Sequence, residues 1–206
     1  MLLDTRRAAV LAIDLQRAFC LPDGSVGRQG RDVGACRAAA TNCIALADAA
    51  RTAGIPVIWV RMVLRPDYAD GGVLMRDLRP GLAAAGGLKR GTPDVELIPD
   101  IKVDPSDDVI DKPRMSAFLG TPLEVLLNAR GINSLIVGGV TTSMCVESTV
   151  RDAGQRDYAT FVVKEACGDF DQRRHEASLE AMAFCFARVI DQAQAMQAIR
   201  GQGADL

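Results

Sequence analysis

The chain has 206 residues, of which 24% are charged, and a formal net charge of −2. That length suits one sizeable α/β core and is short for two ordinary domains, so residues 1–206 are expected to form one domain. A balance this close to neutral, with no Lys/Arg patch, argues against a nucleic-acid partner, and no apolar run approaches the roughly 18 residues of a membrane span.

The N-terminus, MLLDTRRAAVLAIDLQ, places two arginines before only six apolar residues, which reads as a first strand rather than a secretory leader. The protein is expected in the cytoplasm. Ala8–Ile13 is a continuous apolar run, the pattern of a strand buried on both faces of a parallel sheet. Asp14 ends it, where parallel sheets bind their ligands. Residues 20–33 are rich in Gly, Asp and Pro and read as a surface loop. Ala35–Gly54 is an alanine-rich helical pattern stopped by glycine, and Ile55–Val60 is a second buried strand. The following Leu64–Gly87 exceeds the usual connection and is expected to be a functional loop at a pocket mouth.

Val95–Val103 is weakly apolar and broken by Pro99, and Asp108–Lys112 is a short strand that ends in lysine. Thr121-Pro122-Leu123-Glu124 predicts a helix with Thr at N-cap, Pro at N1 and Glu at N3, running to Arg130. The strand Leu135–Val137 then meets Gly138-Gly139 and a polar turn, and Cys145 arrives at the start of a helix. Tyr158–Val163 and Ala187–Ile190 read as strands, Arg173–Cys185 and Asp191–Ile199 as helices. This alternation predicts an α/β protein with a mostly parallel, doubly wound sheet of six strands.

Six scattered cysteines without a C-x-x-C pair support neither a zinc site nor a disulfide framework. His175 is the only histidine, so a Cys–His dyad could use no other residue and a metal site of paired histidines is excluded. A thiol at a helix N-terminus near a cation ionises more easily than a free one, which makes Cys145 a candidate nucleophile with a lowered pKa. Asp14, Lys112 and Cys145 follow three different strands, whose C-terminal ends lie side by side in a parallel sheet. A carboxylate there could take the thiol proton and return it, an ammonium could hold both, and backbone N–H groups at the turn could bind an oxyanion. The arrangement is that of a cysteine hydrolase without histidine.

These residues resemble the isochorismatase-like cysteine hydrolases, the family of nicotinamidase and of the carbamoylsarcosine, ureidoacrylate and biuret amidohydrolases. The resemblance rests on Ala12-Ile13-Asp14-Leu15-Gln16 with Phe19, on Asp111-Lys112 with Ser116-Ala117-Phe118 and Gly120-Thr121, and on Gly138-Gly139-Val140-Thr141-Thr142-Ser143-Met144-Cys145-Val146. It implies a three-layer α/β/α fold, a catalytic triad of Asp14, Lys112 and Cys145, and a cis peptide at Val140–Thr141. It further implies an oxyanion hole from the N–H groups of Thr141 and Cys145, substrate contacts from Phe19, Phe118 and Val140, and a homodimer or homotetramer. No cofactor is expected, because Arg61–Tyr68 lacks the histidines with which similar nicotinamidases bind metal. A cysteine at position 145 favours hydrolysis of a C–N bond in a small amide, carbamoyl or ureido substrate with release of ammonia. An isochorismatase-type vinyl-ether hydrolase is the alternative. A non-catalytic module sensing oxidants through a low-pKa Cys145 is a third reading.

Overall fold

The computed structural model describes residues 3–201. Six strands form one sheet: β1 (Ala8–Ile13), β2 (Val57–Met62), β3 (Asp108–Lys112), β4 (Ser134–Val140), β5 (Ala159–Gly168) and β6 (Arg188–Ile190). Their order is β3-β2-β1-β4-β5-β6, with every pair parallel. The helices are α1 (Arg17–Cys20), α2 (Gly34–Thr52), α3 (Pro80–Ala84), α4 (Leu123–Ala129), α5 (Glu147–Gly154), α6 (Gln172–Cys185) and α7 (Gln192–Ile199).

The sequence winds outward from β1 in one direction and from β4 in the other. Right-handed crossovers therefore put α2 and α5 on opposite faces, which completes three α/β/α layers. With both faces covered, every residue of β1 and β4 is buried, and neither strand carries a charge. The strand order reverses between β1 and β4, so a crevice opens beyond their C-terminal ends. No helix among the described residues is long and apolar enough to cross a membrane.

The glycine stop of α2 forms as expected. Gly54 takes φ +72°, and the N–H groups of Gly54 and Ile55 return to the carbonyls of Arg51 and Ala50 at 3.0 and 2.9 Å. Other boundaries move. β2 starts at Val57 rather than Ile55, because Pro56 has no N–H for the ladder, and it continues to Met62 beside Lys112 of β3. β5 runs to Gly168, five residues beyond the predicted end. A register shift between Val137 and Gly139 of β4 lets it pass the polar Lys164-Glu165 pair and resume with Cys167 and Gly168.

The segment 64–87 is structured rather than a bare loop. It contains a wide turn at Leu74–Leu78 and the short α3. Met75 is buried in the core, and the Tyr68 hydroxyl donates to the Gly87 carbonyl at 2.8 Å. Val95–Val103 forms no strand, keeping a single bridge from Leu97 to Gln16 before Pro99 intervenes. The capping box predicted before α4 is also absent. Pro122 stands at N-cap, Thr121 Oγ1 accepts from Leu123 N at 3.2 Å, and Glu124 turns away to Arg156 at 3.4 Å.

Candidate active site

Asp14 leaves β1 at φ +56°, a left-handed conformation that aspartate tolerates better than most residues, while its N–H stays bound to the Val60 carbonyl at 2.8 Å. Lys112 closes β3, opposite Met62 of β2, so its strand is not the neighbour of β1. At about 4.8 Å per strand the two lie roughly 10 Å apart, and the lysine stem must cross the end of β2. It does. Lys112 Nζ stands 2.8 Å from Asp14 Oδ2, with both side chains 0% exposed, and also donates to the Arg114 carbonyl at 3.0 Å. The contact is a fully buried ion pair, and the Cys145 thiol faces the same carboxylate.

Gln16 ties this corner together. Its amide nitrogen donates to the carbonyls of Met62 and Val95 at 3.0 and 2.9 Å, and its amide oxygen accepts from Met62 N at 2.8 Å. The ends of β1 and β2 are thereby locked to the segment that follows Pro93.

On the other side of β1, Gly139 takes φ +136° against the backbone of Ile13, where any Cβ would collide with the Ile13 carbonyl oxygen. That close approach brings the end of β4 beside Asp14. The Val140–Thr141 peptide is cis, and a wide helical turn, Thr142–Val146, carries Cys145 into α5. Three anchors hold the turn. Ser143 donates through N and Oγ to Asp169 Oδ2 at 2.9 and 2.7 Å, and Thr142 Oγ1 meets His175 Nδ1 at 2.8 Å. Thr149 Oγ1 donates to the Cys145 carbonyl at 2.7 Å and accepts from Ala117 N at 3.0 Å, joining the cysteine turn to the lysine loop.

Burial dominates the electrostatics. It pushes the Asp14 carboxyl above its ordinary range, and the charge of Lys112 offsets only part of that. For Lys112 burial pulls downward, but Asp14 and Cys145 more than compensate, so the ammonium is held above its usual value. Burial and the Asp14 charge push the Cys145 thiol up against the opposing pull of Lys112. The expected lowering of the Cys145 pKa is therefore reversed: dehydration of a fully enclosed sulfur outweighs the helix end and the cation.

Asp14, Lys112 and Cys145 come together at one point, and Thr141 and Val140 adjoin it on the β4 end. Phe19 is buried on α1, which follows Asp14 directly. Phe118 lies elsewhere. Its ring packs 5.7 Å from that of Tyr158 and under the Arg156 guanidinium at 5.0 Å, beyond the end of α5 away from Cys145. The residue preceding β5 must sit at the N-terminal edge of the sheet, which draws Phe118 away from the site. His175 spends its Nδ1 on Thr142 rather than on a dyad with Cys145. No cluster of His, Cys, Asp or Glu among the described residues is arranged to hold a metal ion.

A parallel six-stranded α/β/α sheet with an enclosed acid, lysine and cysteine at its switch point is the arrangement to compare with known proteins. The Isochorismatase domain model matches residues 8–194. The chain is 32% identical over 201 residues to ureidoacrylate amidohydrolase RutB of Methylobacterium radiotolerans, covering 92% of this chain and 78% of that protein. The RutB of Methylorubrum extorquens is 34% identical over 175 residues, covering 79% and 70%. A cysteine hydrolase from Pseudomonas syringae pv. phaseolicola superposes with a TM-score of 0.89 at 29% identity, covering 98% of this chain and 97% of that one. The chain belongs to the isochorismatase family.

Proposed function

We propose that the chain is an amidohydrolase that cleaves the C–N bond of a small amide, carbamoyl or ureido compound through a Cys145 S-acyl intermediate and releases ammonia. The observation that carries this reading is the convergence of Asp14, Lys112 and Cys145 at the C-terminal edge of the sheet, with Lys112 Nζ 2.8 Å from Asp14 Oδ2 and the thiol beside both. Two relatives named as ureidoacrylate amidohydrolases fit the same chemistry.

The resting thiol is neutral and Asp14 and Lys112 form the ion pair. As the thiol proton passes to Asp14, the ammonium exchanges a carboxylate partner for a thiolate, so no net charge is created in the buried site. The raised affinity of Asp14 for a proton suits it to this transfer. Sulfur bonds to the carbonyl carbon, and the N–H groups of Thr141 and Cys145 receive the oxyanion. The C–N bond breaks as Asp14 returns its proton to the leaving nitrogen. Water, deprotonated by Asp14, then cleaves the S-acyl bond and regenerates the thiol. With a ureide that loses its substituted nitrogen, this hydrolysis yields carbamate, which decomposes to carbon dioxide and ammonia.

The test is an ammonia-release screen across primary amides, ureides and N-carbamoyl amino acids, with isochorismate assayed in parallel. Ammonia from one of the nitrogen classes supports the proposal. Turnover of isochorismate alone, without ammonia from any nitrogen substrate, overturns it in favour of vinyl-ether hydrolysis.

A further inference from the structure

The nucleophile is closed off. Cys145 keeps 4% of its surface, and Asp14 and Lys112 keep none. Attack requires the carbonyl carbon to come within about 3–3.5 Å of the reacting sulfur. Instead, the Cys145 thiol donates a weak hydrogen bond to the Met115 sulfur at 3.6 Å, which leaves no room for another atom between them. Met115 itself is only half-buried, unlike Cys145, so its side chain lies between the thiol and the surface.

The backbone around Met115 is fastened on both sides. The Arg114 carbonyl accepts from Lys112 Nζ at 3.0 Å, and Ala117 N donates to Thr149 Oγ1 at 3.0 Å. A loop held by the lysine of the site and by the helix behind the cysteine cannot swing aside without breaking the site. The methionine side chain can. It is unbranched, with soft torsions and only the weak thiol contact to lose, and such side chains change rotamer quickly when partly exposed.

We propose that Met115 is the gate and size filter of Cys145: its side chain swings outward to admit substrate, and the space it vacates limits what can reach the sulfur to small, slender carbonyl compounds. The inference rests on the reading of Cys145 as the nucleophile, and its test needs no substrate. The alkylation rates of Cys145 by iodoacetamide and by the bulkier N-phenylmaleimide are followed by peptide mass spectrometry on the full chain. Their ratio cancels the thiolate fraction, the exposed Cys185 serves as internal reference, and the buried Cys43 reports unfolding.

Met115→Ala should raise the Cys145 rate with N-phenylmaleimide at least about tenfold, and raise it more than the rate with iodoacetamide. Met115→Leu, which keeps the bulk, should leave the ratio near that of the native chain. Were Met115→Ala to expose Cys43, Met115→Val, which also shortens the side chain, is expected to shift the ratio in the same direction and decides the matter. An unchanged ratio in the folded short variant, or an equal rise in Met115→Leu, overturns the gate. Ammonia release with an unchanged ratio would refute the gate alone, whereas a shifted ratio without turnover of any nitrogen substrate would refute the amidohydrolase reading alone.

Discussion

Lys112 reaches past the end of β2 to place its ammonium 2.8 Å from Asp14, and neither side chain has any exposed surface. Removing one partner of such a pair leaves the other charge buried and uncompensated, which costs about 3–5 kcal/mol. Lys112→Ala should therefore lower stability by about that amount in chemical denaturation and lower turnover by at least about 10²-fold. Lys112→Arg keeps the charge, but a broad planar fork does not fit the space of a straight stem and compact ammonium, so its turnover should fall by a comparable factor. Native-like turnover in Lys112→Arg would show that charge alone suffices there.

The pH dependence follows from Asp14. Burial raises its carboxyl above the ordinary 3.8, with Lys112 pulling the other way. The base form is present above that raised pKa and lost as pH falls through it. The acid limb of kcat/KM should thus lie at higher pH than an ordinary aspartate would give, and should move higher still in Lys112→Ala, where the lowering charge is gone. A limb at the ordinary carboxylate value, unmoved by the variant, would remove Asp14 from the role of base.

His175 offers a separate check on the cysteine turn. Burial holds its imidazole below the ordinary 6.5, while Asp169 and Glu176 pull upward. Because the unfolded chain binds the proton more readily, the stabilisation from neutral His175 is complete above about 6.5 and is lost as pH falls through the lowered folded value. Thermal unfolding of the native chain and of His175→Gln should converge across that window. Asp169→Ala, which strips the turn of two hydrogen bonds from Ser143, should lower kcat more than it raises KM.

Gly139→Ala tests the contact that sets β4 against β1. A methyl group at φ +136° would meet the Ile13 carbonyl oxygen, so the strands must part or the turn must shift. A loss of about 2 kcal/mol or more, with turnover reduced beyond the fraction unfolded, is expected. Denaturation and activity measured on one sample separate the two effects.

Much of this was legible in the sequence. Strands buried on both faces announce themselves as uninterrupted apolar runs, so β1 and β4 were evident, and the polar residue after each run marked Asp14 and the approach to Cys145. Lys112 was visible by the same rule, although β2 lies between its strand and β1. The rule failed at Asp169. The apolar run of β5 breaks at Lys164-Glu165, and a bulge that only tertiary pairing supports carries the strand on to Gly168, so the acid that holds Ser143 fell between the strand and helix readings. Thr149 stands four residues beyond Cys145, a helical spacing that could have suggested contact. Gln16 and His175 had no such signal, because their partners are backbone carbonyls and a hydroxyl brought near by the fold. Phe118 and the Cys145 pKa misled for one reason: a motif names a residue type, while packing and dehydration decide where it points and which of its states is stable.

The most direct measurement is ammonia release by Cys145→Ala beside the native chain, on whichever nitrogen substrate the screen identifies, with folding checked by unfolding curves. Covalent catalysis predicts a folded variant whose turnover falls by at least about 10³-fold, while intact-mass analysis of the native chain trapped during turnover gains one acyl or carbamoyl group on Cys145. Near-native ammonia release from Cys145→Ala, with no adduct on the native protein, would contradict the account.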